Sequence, residues 1–148
     1  MVTTQPRRGR VIIIGGSMAG LFAAVSLRAQ GWEVAVYERA SEALANRGAG
    51  IATHDELYAA VRAAGVELRD EMGVPSRGRI MFDRDGAVLG TYDMPQIMTS
   101  WGLIYRFLRA QVHEAEYHHS HTLAGVESRA DGVTAVFENG ARADADWL

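Results

Sequence analysis

The sequence predicts an α/β fold built on a parallel sheet, and three observations predict it. A β-branched, apolar run over residues 11–14 leads into a glycine-rich turn. The segment after the turn is rich in alanine and leucine and stops at Gly31, which is typical of a helix packed on a sheet. A second alternating run, from Trp32 to Glu38, has the pattern of a strand. Strand, turn, helix and strand in this order form a βαβ unit.

The turn that follows the first strand reads Gly15-Gly16-Ser17-Met18-Ala19-Gly20. Backbone N–H groups converge in such a turn, and a helix that begins near Met18 directs the positive end of its dipole at an anion. A strict Gly-x-Gly-x-x-Gly pattern has glycine where this chain has Ser17. A serine is compatible with this position if its φ and ψ angles allow a Cβ atom, and its hydroxyl can then donate a hydrogen bond to a phosphate. The turn is therefore a candidate phosphate site.

Two other interpretations of the turn remain open at this stage. Gly15-x-Ser17-x-Ala19 between a strand and a helix is close to the nucleophile elbow of α/β-hydrolases. An elbow normally follows several strands of an existing sheet, whereas here it would follow the first, and no aspartate and histidine are evident in triad order. The remaining alternative is a tight strand-to-helix turn that binds nothing.

Glu38 ends the second predicted strand, 18 residues after Gly20. Dinucleotide-binding folds place an acidic residue near this spacing, where it accepts hydrogen bonds from the adenosine ribose. A carboxylate there repels a 2′-phosphate, so FAD or NAD is favoured over NADP. The alternative is a solvated glutamate at a strand end. With the turn, Glu38 predicts a Rossmann-like FAD/NAD(P)-binding fold.

Length and composition set the class of protein. The chain has 148 residues, which is short for an oxidoreductase with both a cofactor and a substrate site, so it is expected to be truncated. A net charge of −3 gives no reason to expect a nucleic-acid partner. The absence of cysteine excludes disulfides, thiolate catalysis and cysteine metal sites, and fits a cytoplasmic protein.

The N-terminal region superficially resembles a signal sequence. Arg7, Arg8 and Arg10 precede an uncharged stretch from Val11 to Leu27. Gly15-Gly16-Ser17 interrupts that stretch, which also falls short of the ~20 residues that span a membrane. The stretch is therefore interpreted as a buried strand and helix, with no membrane partner.

The segment after Glu38 is predicted to be a loop as far as Ile51. Within it, Arg39 and Arg47 are candidates to meet phosphates or ribose, and equally plausible as solvated surface arginines. A capping box, Thr53-His54-Asp55-Glu56, is predicted to open the next helix. One face of that helix would carry Leu57, Ala60, Val61 and Ala64.

From Arg77 onward the pattern changes to strands. Residues 79–84 and 87–92, joined by Asp85-Gly86, predict a β-hairpin where a second lobe would begin. Ser100 is a candidate cap for a helix with Trp101 and Tyr105 near its start, both more typical of a core than of cofactor contacts. Its apolar positions are Leu103, Ile104, Phe107, Leu108 and Ala115.

The C-terminal region predicts a three-stranded β-meander. Its strands cover residues 122–128, 133–138 and 141–148, and Asp131-Gly132 and Asn139-Gly140 are strong hairpin signals between them.

Four histidines, His113, His118, His119 and His121, lie close together in the sequence. A zinc helix with the pattern His-Glu-x-x-His would need histidine where Tyr117 stands. The histidines are therefore predicted to lie at an exposed junction between helix and strand, and no metal site is assigned.

These residues together resemble the single-component FAD-dependent aromatic hydroxylases, the p-hydroxybenzoate hydroxylase-like family. The resemblance is carried by the 15–20 turn, Tyr37-Glu38-Arg39, Gly48-Ala49-Gly50-Ile51, and the helix from Trp101 followed by the meander. The glycine-glycine-serine turn and the aromatic residue at 101 are most similar to the 2,6-dihydroxypyridine 3-monooxygenase branch. The resemblance covers only the N-terminal portion of the family.

The resemblance implies a set of cofactor-binding residues. Backbone at Gly15, Ser17, Met18, Ala19 and Gly20 would contact the FAD pyrophosphate. Glu38 would hold the adenosine ribose with Arg39 beside it, and the loop containing Gly50 and Ile51 would pass near the flavin. Many members place arginine or glutamine where this chain has Trp101, so a polar contact is not expected there. No catalytic residue is assigned.

The resemblance also implies an activity. NADH or NADPH would reduce FAD, and a flavin hydroperoxide formed with molecular oxygen would hydroxylate a small aromatic or heteroaromatic substrate. A flavin oxidase or dehydrogenase of the same fold and a non-catalytic dinucleotide-binding fragment are the alternatives. The resemblance does not fix the oligomeric state, and a homodimer is one of the possibilities.

The same resemblance divides the chain into three parts. Residues 1–76 would form the first part of an FAD-binding domain, and 77–98 the start of a β-rich substrate lobe. Residues 99–148 would return to the FAD-binding domain with a helix and the meander.

Overall fold

The computed structural model describes residues 8–44, 48, 50–63, 65–66 and 72–148. Strand β1 (Arg10–Ile14), helix α1 (Met18–Ala29) and strand β2 (Glu33–Tyr37) form the predicted βαβ unit. The two strands are parallel and in register from one end to the other. The parallel βαβ unit confirms the α/β fold. It also excludes a continuous apolar helix over the uncharged stretch from Val11 to Leu27. No helix in the described ranges is long and apolar enough to cross a membrane.

A third parallel strand, β6 (Tyr117–His118), extends this sheet in the order β1-β2-β6. It follows a 3-10 turn over Glu114–Glu116 and bonds to β2 through the Glu38 N–H, which donates to the His118 carbonyl at 2.8 Å. The prediction of an exposed junction is therefore wrong for this segment. Pairing with β2 half-buries His118 and leaves Tyr117 only 4% exposed.

The second sheet is antiparallel, in the order β3-β5-β4, with β3 at Gly50–Ala52, β4 at Val74–Phe82 and β5 at Val88–Ser100. The predicted hairpin is confirmed, although both strands are longer than expected. The loop predicted up to Ile51 is corrected at its end, because Gly50–Ala52 pairs with the last part of β5. Arg47 and Ala49 lie outside the described residues.

Helix α2 (Asp55–Ala63) follows β3, but in the described part of the chain the hydrogen bonds of the predicted capping box are not made. The Thr53 hydroxyl donates to the Ile97 carbonyl at 2.8 Å, and the Glu56 carboxylate pairs with Nδ1 of His54 at 2.9 Å. Both side chains are thus engaged elsewhere, because Thr53 is held against β5. Val61 is buried as predicted, whereas Ala60 is exposed. Ala64 lies outside the described residues.

Helix α3 (Trp101–Arg109) begins directly after β5. The predicted cap is confirmed, since Oγ of Ser100 accepts the Leu103 N–H at 3.1 Å. The helix ends before Ala115, which was predicted to continue its apolar face. The Arg109 side chain donates to the Val112 carbonyl at 2.8 Å and closes the turn that leaves the helix.

The predicted meander is confirmed as β7 (Leu123–Arg129), β8 (Gly132–Phe137) and β9 (Arg142–Ala145). Its last strand is shorter than expected. Beyond it, Trp147 bridges to β1, where its carbonyl accepts the Ile12 N–H at 2.9 Å. The meander therefore covers one face of the parallel sheet.

The hydrophobic core lies on both faces of the parallel sheet. On one face, α1 and α3 bury the larger cluster, which includes Leu21, Val36, Ile104, Tyr105 and Leu108. On the other face, the meander buries Ile12, Ala135, Phe137 and Ala145. Helices, sheet and meander in layers make a Rossmann-like fold, with the glycine turn at the carboxyl end of β1.

Candidate cofactor site

Two glycines of the turn are required by its geometry. Gly15 has a φ of +99°, in the left-handed region that a side chain disfavours. At Gly20 a Cβ would lie 1.8 Å from the Gly15 carbonyl oxygen, so only glycine allows the first turn of α1 to approach the end of β1. This close approach is the role that the third glycine has in dinucleotide-binding turns.

Ser17 is the N-cap of α1, with φ −76° and ψ −175°. These extended angles suit a Cβ, which satisfies the condition for a serine at this position. The side chain is exposed and makes no capping hydrogen bond to the helix. The unstrained backbone also excludes the nucleophile elbow, which requires a strained turn at the serine.

In the described part of the chain, the first N–H groups of α1 have no protein acceptor. Leu21 donates the first intrahelical hydrogen bond, to the Ser17 carbonyl at 2.9 Å. The N–H groups of Met18, Ala19 and Gly20 precede this bond and have no acceptor within the helix. They lie at the positive end of the helix dipole, where an anion is stabilised.

Glu38 lies against the glycine turn, although it follows a different strand. Its Oε2 accepts the Gly16 N–H at 2.7 Å and its Oε1 accepts the Ala40 N–H at 2.8 Å. The residue is 6% exposed. Each carboxylate oxygen has a second lone pair, so the group can still accept hydrogen bonds from a hydroxylated ligand. The structure thus brings together the turn and the acid that the sequence singled out.

The other predicted site residues lie around this centre. Arg39 is exposed immediately after Glu38. Gly50 and Ile51 form β3, paired with Ser100 and Thr99 just before α3 begins. These residues therefore belong to the second sheet and not to the turn itself.

Tyr117 is a site residue that sequence reasoning missed. Its hydroxyl donates to the Gly16 carbonyl at 3.0 Å, and a Cβ on Gly16 would lie 2.0 Å from that hydroxyl oxygen. Burial, followed by the hydrogen bond with Tyr105, raises the pKa of Tyr117 above its ordinary value, so the group stays a neutral donor. The guanidinium of Arg109 lies 4.3 Å from the ring centroid. The sequence signal is weak, because Tyr117 is 101 residues from Gly16.

Trp101 and Tyr105 form the wall beside Gly48. Their rings stack with centroids 5.0 Å apart and planes 10° from parallel. Gly48 has a φ of +105°, and a Cβ there would lie 2.5 Å from Cβ of Trp101. Tyr105 is a core residue, as predicted, with 1% exposure, while Trp101 stays half-buried.

His118, His119 and His121 pack against aromatic rings. Tyr37 stacks between His118 and Phe137, with both centroid distances 4.6 Å, and His121 meets the Phe137 ring edge-on at 5.0 Å. Among the described residues no three histidine, aspartate or glutamate side chains come together as metal ligands.

The donor set of the turn fits the diphosphate of a dinucleotide. Gly20 leaves room for close helix packing, the first amides of α1 have no acceptor within the helix, and Glu38 is within reach of a sugar placed beside them. The fold and this site define a dinucleotide-binding α/β protein. The chain belongs to the FAD-binding domain family, whose model matches residues 8–147.

Relatives of the chain are monooxygenases. It is 35% identical over 145 residues to 2,6-dihydroxypyridine 3-monooxygenase of Paenarthrobacter nicotinovorans, covering 97% of this chain and 36% of the relative. It is 31% identical to 3-amino-4-hydroxybenzoate 2-monooxygenase PtmB3 of Streptomyces platensis, covering 98% of this chain and 39% of the relative. The chain thus spans little more than a third of either relative.

Solved structures show the same fold. The structure of 2,6-dihydroxypyridine-3-hydroxylase from Arthrobacter nicotinovorans superimposes with a TM-score of 0.85 at 35% identity, covering 97% of this chain and 36% of that one. Klebsiella pneumoniae HpxO, solved in complex with FAD and uric acid, gives a TM-score of 0.81 at 23% identity, covering 99% of this chain and 39% of HpxO.

Proposed function

We propose that this chain is the FAD-binding part of a monooxygenase that hydroxylates a small aromatic or heteroaromatic compound at the expense of NADH or NADPH. The observation that carries the proposal is the contact between Glu38 and the glycine turn. A carboxylate able to accept hydrogen bonds from a ribose lies there next to amides able to donate to a phosphate, and this arrangement supports the proposal. The relatives named above act on hydroxylated pyridine and benzoate rings, which supports the substrate class.

Each predicted residue has a role in this proposal. The backbone of Gly15, Ser17, Met18, Ala19 and Gly20 binds the FAD pyrophosphate at the amino end of α1. Glu38 accepts hydrogen bonds from the adenosine ribose, and the exposed Arg39 lies beside that sugar.

At the other end of the proposed site, Gly50 and Ile51 in β3 lie near the flavin. Trp101 contributes an apolar wall next to Gly48. FAD supplies the redox chemistry when bound, while these residues bind and orient it and keep water away from it.

The domain division is also part of the proposal. Residues 1–76 and 99–148 would belong to the FAD-binding domain, and 77–98 would begin a substrate lobe. Apolar side chains exposed on β4 and β5 support this division, because a surface of this kind is typical of a contact with further protein. Molecular oxygen and the aromatic ring are the proposed partners, and the cytoplasm is the proposed compartment. The oligomeric state is left open.

The test of cofactor binding is an FAD titration of the purified protein, followed by flavin absorbance and fluorescence. We expect Glu38→Gln to raise the Kd for FAD by about 10-fold to 100-fold, the loss expected when hydrogen bonds to a charged acceptor are weakened. Glu127→Gln is the matched control, since Glu127 is an exposed carboxylate paired with Arg142 on the meander. Wild-type protein that takes up no FAD, or a Glu38→Gln variant that binds FAD normally, would contradict the proposal.

The activity itself needs a separate measurement. Substrate-stimulated NAD(P)H oxidation that yields hydroxylated product supports a monooxygenase. Stoichiometric hydrogen peroxide without hydroxylated product would indicate an oxidase.

A further inference from the structure

We infer that the Tyr117 hydroxyl is a positioning group for the cofactor diphosphate, because it holds the Gly16 carbonyl and thereby aims the Ser17 N–H at the phosphate oxygens. The inference rests on the proposed function and deepens it. It assigns a role to a residue that lies on a strand outside the βαβ unit.

Two hydrogen bonds hold the backbone of Gly16, one at its N–H and one at its carbonyl. The N–H of Gly16 donates to Glu38, and its carbonyl accepts the Tyr117 hydroxyl. Both partners are at least nine-tenths buried. A glycine has the freest backbone of any residue, so two buried hydrogen bonds restrict it more than they would restrict any other residue.

The second step follows from peptide geometry. The peptide that joins Gly16 and Ser17 is trans, so its carbonyl and its N–H point in opposite directions. The carbonyl points at Tyr117, and the Ser17 N–H therefore points away from it, on the exposed side of the turn. In the described part of the chain no protein acceptor receives this N–H. It is a free donor next to those of Met18 and Ala19.

The third step concerns what holds Tyr117 itself. Its ring fills the space that a Gly16 side chain would occupy, and the Arg109 guanidinium covers the ring. The Tyr105 hydroxyl is close enough to that of Tyr117 to help raise its pKa, and it accepts the Leu44 N–H at 3.4 Å. Helix α3 therefore supports the glycine turn through a pair of buried hydroxyls.

The test compares ligands with and without a diphosphate. In Tyr117→Phe the ring stays and only the hydroxyl is lost, so we expect the Kd for FAD and for ADP to rise about tenfold, the value of one hydrogen bond. The Kd for adenosine, which lacks the diphosphate, should stay unchanged. Tyr37→Phe is the matched control, because Tyr37 packs on the meander side of the same sheet.

A double-mutant cycle isolates the Ser17 N–H. Proline fits the φ of −76° at this position and removes the N–H, so Ser17→Pro deletes the donor that Tyr117 is inferred to aim. In the Ser17→Pro background, Tyr117→Phe should change the affinity for ADP less than twofold, because the two changes remove the same interaction. A general weakening of the fold would instead give additive losses.

The outcomes separate the two proposals. Wild-type protein that binds FAD, with a Tyr117→Phe variant that binds FAD and ADP equally well, overturns the positioning role and leaves the proposed function intact. Equal losses for ADP and adenosine also overturn it, since they indicate a disturbed fold. Wild-type protein that binds neither FAD nor ADP overturns both.

Discussion

At the scale of single residues, buried polar groups in this protein are paired where they serve the site. Glu38 bonds to two amides and Tyr117 to a carbonyl, so neither leaves a desolvated group without a partner. Thr99 is different. Its hydroxyl is buried with no hydrogen-bond partner in the described part of the structure. An unpaired buried hydroxyl lowers stability, because it gives up water without replacement.

Replacing Thr99 by valine and replacing Thr134 by valine are therefore expected to have opposite effects on the free energy of unfolding. Thr99→Val should raise the free energy of unfolding by about 1 kcal/mol, since it removes an unpaired polar atom. Thr134→Val should lower it by about 1 to 2 kcal/mol, because the Thr134 hydroxyl bonds to Asp144 and Arg129. Urea denaturation of both variants measures the difference. Loss of stability in Thr99→Val would show that its hydroxyl has a partner in solution.

At the scale of elements, the short strand β6 connects the two faces of the sheet. Tyr117 faces the glycine turn and the helices, while His118 stacks on Tyr37 towards the meander. Alternation along a strand directs successive side chains to opposite faces, so two residues are enough for both contacts. Burial, followed by the charge of His121, lowers the pKa of His118 below its ordinary value of 6.5.

This shift predicts that stability falls in acid. The folded protein favours neutral His118, so the unfolded chain binds more protons below about pH 6.5 and the free energy of unfolding decreases as the pH falls. His118→Phe keeps an aromatic ring on Tyr37 and should lose less stability between pH 7.5 and 5.5 than the wild type. Equal slopes for His118→Phe and the wild type would refute the assignment.

At the scale of the whole molecule, the parallel sheet and the β3-β5-β4 sheet differ in how they are covered. Helices and meander bury both faces of the parallel sheet, whereas the hairpin of β4 and β5 exposes large apolar side chains. Phe82 is 59% exposed and Leu89 is 65% exposed. Large apolar side chains that lie together on a protein surface are typical of a contact site. Among the described residues, most of the exposed large apolar side chains lie on this hairpin.

The exposed hairpin predicts that the 148-residue chain binds a hydrophobic dye such as ANS. Phe82→Thr combined with Leu89→Thr should reduce the dye fluorescence and leave the Kd for FAD unchanged, because neither residue contacts the turn. Val126→Thr changes a single exposed apolar residue on the meander and should have little effect. Dye binding that is unaffected by the double substitution would place the apolar surface elsewhere.

Short-range patterns in the sequence determined the βαβ unit, the glycine turn, the Ser100 cap and the hairpin turns of the meander. Each depends on residues within a few positions of one another, where backbone preferences and periodicity decide the conformation. The spacing of Glu38 from the turn was also readable, because a βαβ unit has a nearly fixed length.

Only the tertiary structure decided that Tyr117 holds Gly16, that His118 belongs to the parallel sheet and that Gly50–Ala52 pairs with β5. These contacts join segments far apart in the chain and leave no local pattern. The Thr53 capping box was not predictable for the same reason, since a hydrogen bond to the distant Ile97 carbonyl fixes the Thr53 side chain against β5. Where local and distant partners compete for one polar group, the packing of the whole chain selects between them.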